Sequence, residues 1–266
     1  MTNNDNDWEL WLEEEESDER TRRPQRERPK YGVLYEDERL IAFDKSAGIS
    51  AIRERFDVGT SLKEIAEERF GRLWTVHRID KGTSGVIVFA RDAAAHKSLN
   101  DQFEAGTVDK RYLAVVEGTI EDEVVEIDLP LMPDPKKPGR MKASAAGKKS
   151  YTTLRVLERF RGYTLVEAQP HTGRQHQIRV HCAGIGHPLL VDPVYGKREQ
   201  FMLSELKRKY KDYGREEKPL IARLTLHAQR LTVTHPGTEE RIVFEAPVPR
   251  DLHALVAQLR KLRPAI

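Results

Sequence analysis

The sequence predicts an α+β fold with a mixed, largely antiparallel β-sheet flanked by helices and loops. Strand-like segments follow one another through short polar turns, as in hairpins, at residues 151–170 and 224–247. Helical segments lie irregularly between the strands, which disfavours a doubly wound parallel sheet. No repeat of fixed period occurs, and the 266 residues suffice for a buried core. We therefore expect one domain over residues 31–266.

The first half of this domain predicts strands and helices in turn. Residues 33–45 predict two short strands around an acidic turn, and apolar residues at helical spacing predict a helix over 61–70 that ends at Gly71. The continuous apolar run at 85–90 predicts a strand that is buried on both faces. A helix ending at Gly106 and a strand over 111–118 follow.

The second half begins with a predicted polar loop at 134–149, which contains the basic residues Lys136, Lys137, Arg140, Lys142, Lys148 and Lys149. The next elements are a hairpin that turns at Arg161–Gly162, a helix from Gln175 to Ala183 opened by Thr172 and Gly173, and a basic helical stretch at 199–213. Two strands around a turn at 235–238 and a helix at 251–262 complete the predicted fold.

The net charge of +2 hides an uneven distribution. Residues 1–19 contain nine acidic residues and no Lys or Arg, residues 20–30 have a net charge of +5, and the remainder has +6. The first 30 residues contain few apolar side chains, so we expect a disordered charged tail. A basic body is compatible with a nucleic-acid partner, although many other proteins are equally basic.

Several classes of protein are excluded by what the sequence lacks. No apolar run approaches the roughly 18 residues of a membrane span, and the acidic N-terminus does not resemble a signal peptide. The single cysteine, Cys182, fits a reducing compartment and a small buried side chain, so we expect a cytoplasmic protein. No dinucleotide, nucleotide or zinc motif is present, and the spacing of the histidines from His171 to His187 does not suit a metal.

Two segments have the composition of a reactive site. In His77–Gly85, small and charged residues form a tight loop at the entrance of the buried strand, so Asp80 is either a carboxylate at the rim of a cleft or a cap of its own turn. In His171–His181, polar residues crowd the start of a helix. There Arg179 either holds a carboxylate in bidentate geometry or belongs to a solvated helix face.

These segments, with others in the same order, resemble the RluA-type family of RNA pseudouridine synthases. The resemblance runs from VLYEDERLIAFDKSAG through HRIDKGTSGVIVFARD, KRYLAVVEG, GRQHQIRVHCAGIGHPLLVDPVYG and LHAQRLTVTHP to APVPRDL, so it covers essentially residues 31–262. It implies a bent sheet with a central active-site cleft in a single catalytic domain. The implied reaction isomerises uridine in structured RNA to pseudouridine, without a cofactor or a metal.

Carried over by position, the resemblance implies three catalytic residues. Asp80 corresponds to the nucleophilic aspartate, Tyr112 to the tyrosine that lies against the target base and assists proton removal, and Arg179 to the arginine that pairs with the aspartate. These roles agree with physical expectation, because a guanidinium favours the ionised carboxylate and an aromatic ring can replace the stacking that a flipped base loses.

Further RNA contacts are expected around this trio. The predicted substrate-binding residues are Arg78, Lys81, Thr83, Arg174, His176 and Gln177. We expect a monomer whose partner is ribosomal or transfer RNA, and the sequence leaves open which uridine is modified. An RNA-binding or RNA-folding protein that keeps the fold without turnover is the alternative, but it would not require the Asp80, Tyr112 and Arg179 set.

Overall fold

The computed structural model describes residues 30–53, 59–207, 209–210 and 216–265. The predicted tail therefore lies outside the described residues, apart from Lys30. Within these ranges the strands are β1 (Tyr31–Glu36), β2 (Leu40–Lys45), β3 (Trp74–Thr75), β4 (Ser84–Ala90), β5 (Asp109–Glu117), β6 (Val124–Asp128), β7 (Leu131–Pro133), β8 (Met141–Ala143), β9 (Tyr151–Phe160), β10 (Tyr163–Pro170), β11 (Leu226–Thr234) and β12 (Arg241–Glu245). The α-helices are α1 (Leu62–Phe70), α2 (Ala93–Ala105), α3 (Gln177–Gly184) and α4 (Arg250–Leu262).

One mixed sheet organises the molecule, as predicted. Its strand order is β1-β2-β4-β11-β5-β10-β9-β6, with β12 paired to β11 and β3 paired to β4, while β7 and β8 form a separate hairpin. All these pairs are antiparallel except β4 with β11. Within the described ranges, none of the helices has the length and apolar character that a membrane crossing requires.

The parallel pair β4–β11 lies at the centre of the sheet and depends on Gly85. This glycine has φ of 111°, and a Cβ added to it would lie 2.1 Å from the carbonyl oxygen of Ala228. Ala228 pairs with Gly85 on one side and with Tyr112 of β5 on the other. The backbones that carry the predicted nucleophile and the predicted tyrosine are thus separated by a single strand.

Both faces of the central strands are buried, which explains the continuous apolar runs in the sequence. Alternate residues of β2 and β4 pack in two different clusters, one with α1 and one with α2. Alternate residues of β5 likewise divide between a cluster with α4 and a cluster with α3. Every residue of β4 is buried, as predicted for that strand.

Most predicted elements are confirmed, including the hairpins at residues 33–45 and 151–170, the helices at 62–70, 93–105 and 250–262, and the strand pair around 235–238. The polar loop at 134–149 differs, because Met141–Ala143 pairs with Leu131–Pro133 and makes a hairpin. Cys182 is fully buried, and burial raises the pKa of its thiol to about 12.

The predicted helix at 199–213 is wrong within the described residues. Only a 3-10 turn, Leu203–Glu205, forms there. Phe201 instead makes a β-bridge with Ile221, and both side chains are buried in the cluster that contains α4. Burial of these side chains thus overrides the local helical propensity that basic residues give to the segment.

Helix α3 begins at Gln177, two residues later than predicted. Its N-cap is His176, which has left-handed backbone dihedrals (φ 54°, ψ 20°) and makes no capping hydrogen bond through its side chain. Thr172 does not cap the helix, because its hydroxyl donates to the side-chain oxygen of Gln177 at 2.6 Å. The alternative of a solvated helix face is excluded, since residues 177–182 are buried.

Candidate active site

Asp80 lies in the tight loop that leads into β4. The backbone N–H of Thr83 donates to the backbone carbonyl of Asp80 at 3.0 Å, so the turn is closed by the main chain and the carboxylate is not needed as its cap. Ile79 is buried and anchors the loop, whereas about a quarter of the Asp80 side chain is exposed. The loop therefore presents a carboxylate at the surface of the sheet, which excludes the capping alternative.

His77 fixes the start of this loop through the contacts of its ring. Its Nε2 accepts a hydrogen bond from the backbone N–H of Val88 at 3.0 Å, and its ring stacks on Phe103 with centroids 4.8 Å apart. Burial lowers the pKa of His77 to about 3, so the imidazole stays neutral. A neutral ring can accept from Val88, which makes His77 a structural support for the Asp80 loop.

Lys45, at the end of β2, holds the other side of the loop. Its Nζ is buried and donates to the backbone carbonyls of Ser46 and Ile49 at 3.0 and 2.8 Å, with a longer contact of 3.4 Å to the carbonyl of Lys81. Burial lowers the pKa of Lys45 to about 7, and the negative charge of Asp80 opposes that change. Lys45 thus ties the end of β2 to the Asp80 loop through these backbone carbonyls.

Arg179 connects two carboxylates. Its Nη1 donates to Oδ2 of Asp80 at 3.1 Å, while its Nε and Nη2 donate to the two oxygens of Asp192 at 2.7 and 2.9 Å. Asp192 is buried and also accepts from the backbone N–H groups of Val194 and Tyr195. This bidentate pair fixes the guanidinium plane, so one N–H points at Asp80 in a defined direction.

The charges in this cluster support one another. Burial alone would raise the pKa of Asp192, but the hydrogen bonds and charge of Arg179 and the two backbone donors bring that pKa below its ordinary value. Burial would lower the pKa of Arg179, but Asp192 and Asp80 raise it. Arg179 is therefore charged throughout the neutral range. It is the residue that faces Asp80 at hydrogen-bonding distance.

Tyr112 approaches the same region from β5. Burial raises the pKa of its phenol above the ordinary value, and the negative charge of Asp80 adds to the effect. The phenol is therefore protonated at neutral pH. Its ring packs against the cluster that contains α3, the helix that carries Arg179.

His176 and Tyr195 complete the cluster around Asp80. His176 Nε2 lies 3.9 Å from Asp80 Oδ2, and His176 Nδ1 lies 2.8 Å from the hydroxyl of Tyr195. The Arg179 guanidinium carbon lies 5.0 Å from the centroid of the Tyr195 ring. Asp80 is thus held on one oxygen by the fixed guanidinium of Arg179. The imidazole of His176 lies beside the same oxygen, and the phenol of Tyr195 contacts that imidazole.

Comparisons with known proteins agree with this chemistry. A family model described as RNA pseudouridylate synthase matches residues 39–184, which include Asp80, Tyr112 and Arg179. The chain is 36% identical over 237 residues to ribosomal large subunit pseudouridine synthase C of Escherichia coli (strain K12), covering 87% of this chain and 70% of that protein. The chain belongs to the RNA pseudouridylate synthase family.

Two further relatives support the assignment. An uncharacterized RNA pseudouridine synthase of Bacillus subtilis (strain 168) is 42% identical over 186 residues, which is 70% of this chain and 55% of that relative. The solved structure of human RNA pseudouridylate synthase domain containing 4 superposes with a TM-score of 0.68 at 26% identity, covering 86% of this chain and 93% of that one. The predicted α+β fold and the resemblance to RluA-type synthases are confirmed.

The residues predicted to bind substrate lie in different environments around Asp80. Arg78 and Lys81 are exposed on either side of Asp80, and Arg174 is exposed with its Nε donating to the carbonyl of Lys149 at 3.2 Å. Thr83 is buried, and its hydroxyl is the only buried polar side-chain atom without a hydrogen-bond partner among the described residues. The exposed cations can reach a ligand, while Thr83 lies beneath the surface.

The side chain of Gln177 is held by hydrogen bonds inside the protein and is not open to a ligand. Its amide nitrogen donates to the carbonyl of Tyr151 and to the hydroxyl of Thr152, and its oxygen accepts from Thr172 and from the backbone N–H of Arg174. Because the amide is buried and fully hydrogen-bonded, it has no group left for a substrate. Gln177 instead ties the 171–174 loop to β9.

Sequence reasoning assigned no role to Lys45, Asp192 or Tyr195. Lys45 ends an apolar strand, where a surface lysine is the ordinary expectation. Asp192 follows Leu189–Val191 and precedes Pro193, a pattern typical of a turn. One signal was available, since both Asp192 and Tyr195 lie in a segment that carries the family resemblance, but spacing along the chain does not reveal that Asp192 meets Arg179.

Proposed function

We propose that this chain is an RNA pseudouridine synthase that modifies uridines in ribosomal RNA, with residues 31–266 as one catalytic domain. The observation that carries the proposal is the pairing of Asp80 with an arginine whose orientation Asp192 fixes. A relative that shares 36% identity is named for the large ribosomal subunit, which favours ribosomal over transfer RNA. A cytoplasmic location, a monomer and the absence of a metal or cofactor stay predictions.

The geometry suggests which oxygen of Asp80 reacts. Arg179 donates to Oδ2, and His176 also lies nearest to Oδ2. Oδ1 is held by neither side chain, so we assign it as the atom that attacks the substrate in covalent catalysis. Because Asp192 fixes the guanidinium of Arg179, the guanidinium is in place to stabilise the Asp80 carboxylate when the covalent bond breaks and the negative charge returns.

Tyr112 has two roles in this proposal. Its ring supports the extruded uracil, because stacking on an aromatic side chain offsets the loss of base stacking in RNA. Its phenol is a proton donor at rest, since its pKa is raised by burial and by the charge of Asp80. Formation of a covalent bond from Asp80 to the sugar would release the uracil with a negative charge and remove one of these causes of the raised pKa. The phenol could then pass its proton to the uracil ring, and the resulting phenolate could accept the proton that leaves ring carbon 5.

The test is modification of RNA by the full chain. Large-subunit ribosomal RNA, small-subunit ribosomal RNA and a transfer RNA pool, each transcribed without modification, are incubated with the protein, and pseudouridine is mapped by chemical adducts. The proposal expects adducts at defined uridines of large-subunit RNA. Adducts in transfer RNA alone would assign a different substrate, and binding without adducts in any pool would favour the non-catalytic alternative.

The hairpin β7–β8 and the following segment supply positive charge near the site. Lys136, Lys137, Lys142, Lys148 and Lys149 are exposed on it. Arg174, which precedes α3, donates to the carbonyl of Lys149 and so joins this segment to the helix of Arg179. We propose that these cations bind RNA phosphates.

Neutralising two of these lysines should weaken RNA binding and its dependence on salt. For Lys136→Ala combined with Lys137→Ala, we expect the slope of log Kd against log salt to fall by about 1 to 2, because each phosphate contact releases roughly one counterion. The control is Arg161→Ala, which removes one positive charge at the β9–β10 turn, the opposite end of these strands from Tyr151 and Pro170. Equal slopes in all three proteins would remove the hairpin from the interface.

A further inference from the structure

His176 has a backbone conformation that histidine adopts only occasionally. Its φ of 54° and ψ of 20° are left-handed, and only one other non-glycine residue among those described, Glu239, has positive φ. Such a conformation costs free energy in a residue with a Cβ and persists where the surroundings impose it. No side-chain capping bond accounts for it at this helix start. The side chain is instead directed between Tyr195 and Asp80.

The hydrogen bonds of Tyr195 favour one position for the proton of His176. The Tyr195 hydroxyl accepts from the backbone N–H of Met141 at 2.7 Å and lies 2.8 Å from His176 Nδ1. If Nδ1 carried a hydrogen, the hydroxyl would receive two donors. Its own hydrogen would then have no acceptor in the described part of the chain. The satisfied arrangement has the hydroxyl donate to Nδ1, which leaves the hydrogen of the neutral imidazole on Nε2.

The protonation states of both residues are consistent with this arrangement. Burial raises the pKa of Tyr195, so its hydroxyl keeps the hydrogen that it donates. Burial lowers the pKa of His176, against the influence of Asp80 and together with that of Arg179, so the imidazole is neutral at physiological pH. A neutral imidazole has one N–H, and the hydrogen bond to Tyr195 favours its position on Nε2.

The atom on which this hydrogen lies faces the catalytic carboxylate. Nε2 is 3.9 Å from Oδ2 of Asp80, too long for a hydrogen bond in the free protein. Distances of this kind shorten when a substrate closes the site. We propose that His176 is a positioning residue for the reaction, held by Tyr195 as the Nε2–H tautomer so that its N–H steadies Asp80 Oδ2 beside Arg179. This inference rests on the proposed function, since it takes Asp80 as the nucleophile.

Replacement of His176 by Gln, Asn or Gly distinguishes this positioning role from a role in which the residue only shapes the backbone turn. A Gln amide reaches approximately to the position of Nε2, and an Asn amide approximately to that of Nδ1. Asn and Gly, however, adopt left-handed dihedrals more readily than Gln. The positioning role therefore predicts that His176→Gln is more active than His176→Asn and His176→Gly. A role in the backbone turn predicts the reverse order.

Kinetic measurements on modified RNA test the proposal. We expect His176→Asn and Tyr195→Phe to lower kcat by roughly 10- to 100-fold with KM changed by less than about threefold, because small displacements of a reacting group have effects of this size. His176→Gln should recover most of kcat. Adding Tyr195→Phe to His176→Gln should then cost little, since the tyrosine acts through the imidazole. The exposed His171→Asn in the preceding loop is the control and should match the unsubstituted protein.

Nitrogen-15 NMR of the histidine rings gives a second readout that needs no activity. The His176 signals, identified by their loss in His176→Gln, should show hydrogen on Nε2, and Tyr195→Phe should shift the population toward Nδ1–H. Hydrogen on Nδ1 in the unsubstituted protein, or equal kcat for the Gln, Asn and Gly variants, would overturn the proposal. Absence of pseudouridine with the unsubstituted protein would contradict the proposed function instead, and the tautomer would still be decided by NMR.

Discussion

Replacing Asp80 with Asn is expected to abolish isomerisation while RNA affinity stays unchanged or rises slightly. Asn has nearly the same shape, and its amide oxygen can still accept from Arg179 Nη1, but it cannot form the covalent bond that the proposal assigns to Oδ1. We expect turnover to fall by about 10⁴-fold or more, the scale seen when a nucleophile is removed. Loss of one negative charge at an RNA surface would, if anything, favour phosphate binding.

The experiment compares pseudouridine yield, RNA affinity and thermal unfolding for the same preparations. Asp122→Asn is the matched control, because it removes the same charge from an exposed loop before β6. It should be indistinguishable from the unsubstituted protein in yield. If Asp80→Asn unfolds at a much lower temperature, or if it modifies RNA normally, Asp80 is a structural residue and the catalytic assignment is wrong.

The sequence predicts the elements of this fold better than it predicts where they meet. Hairpins and amphipathic helices arise from contacts between neighbours in sequence, so residues 151–170 and 250–262 are recognisable from their patterns alone. The segment 199–213 is different, because Phe201 is drawn into the core by Ile221 and by helix α4. A local pattern cannot represent a contact whose partner lies elsewhere in the chain.

The candidate site shows the same division. Asp80 and Arg179 stand out because charged residues interrupt an apolar strand entrance and crowd a helix start. Asp192 does not stand out, since its importance comes from burial against Arg179, 13 residues away. Lys45 is likewise defined by three carbonyl groups that the fold brings to it. Residues that react are visible as unusual local chemistry, whereas residues that orient them are visible only in three dimensions.

Arg179→Met should cost both activity and stability, for two different reasons. Activity falls because the carboxylate of Asp80 loses its oriented donor, and we expect a loss of at least about 100-fold in kcat. Stability falls because Asp192, whose side chain is 1% exposed, becomes a buried charge without its partner. Breaking such a pair typically costs about 3–5 kcal/mol of the free energy of unfolding.

The stability loss should depend on pH in a defined direction. In the unsubstituted protein the pKa of Asp192 is below its ordinary value, so its contribution to stability is present above about pH 4 and is lost in acid. Without Arg179 burial raises that pKa, and the folded variant then binds a proton that the unfolded chain does not. The difference in unfolding free energy between the two proteins should therefore be largest near pH 7 to 8 and should shrink toward about pH 4.

A double variant distinguishes the two effects. Adding Asp192→Asn to Arg179→Met removes the stranded charge, so much of the unfolding free energy should return while kcat stays low, because Asp80 still lacks its donor. Arg260→Met, which breaks an exposed ion pair with Glu158, is the control for losing an arginine and should cost less than about 1 kcal/mol. An unchanged urea midpoint for Arg179→Met would refute the buried pairing. Recovery of kcat in the double variant would show that Arg179 acts on stability alone, and the carboxylate of Asp80 would then need no guanidinium to react.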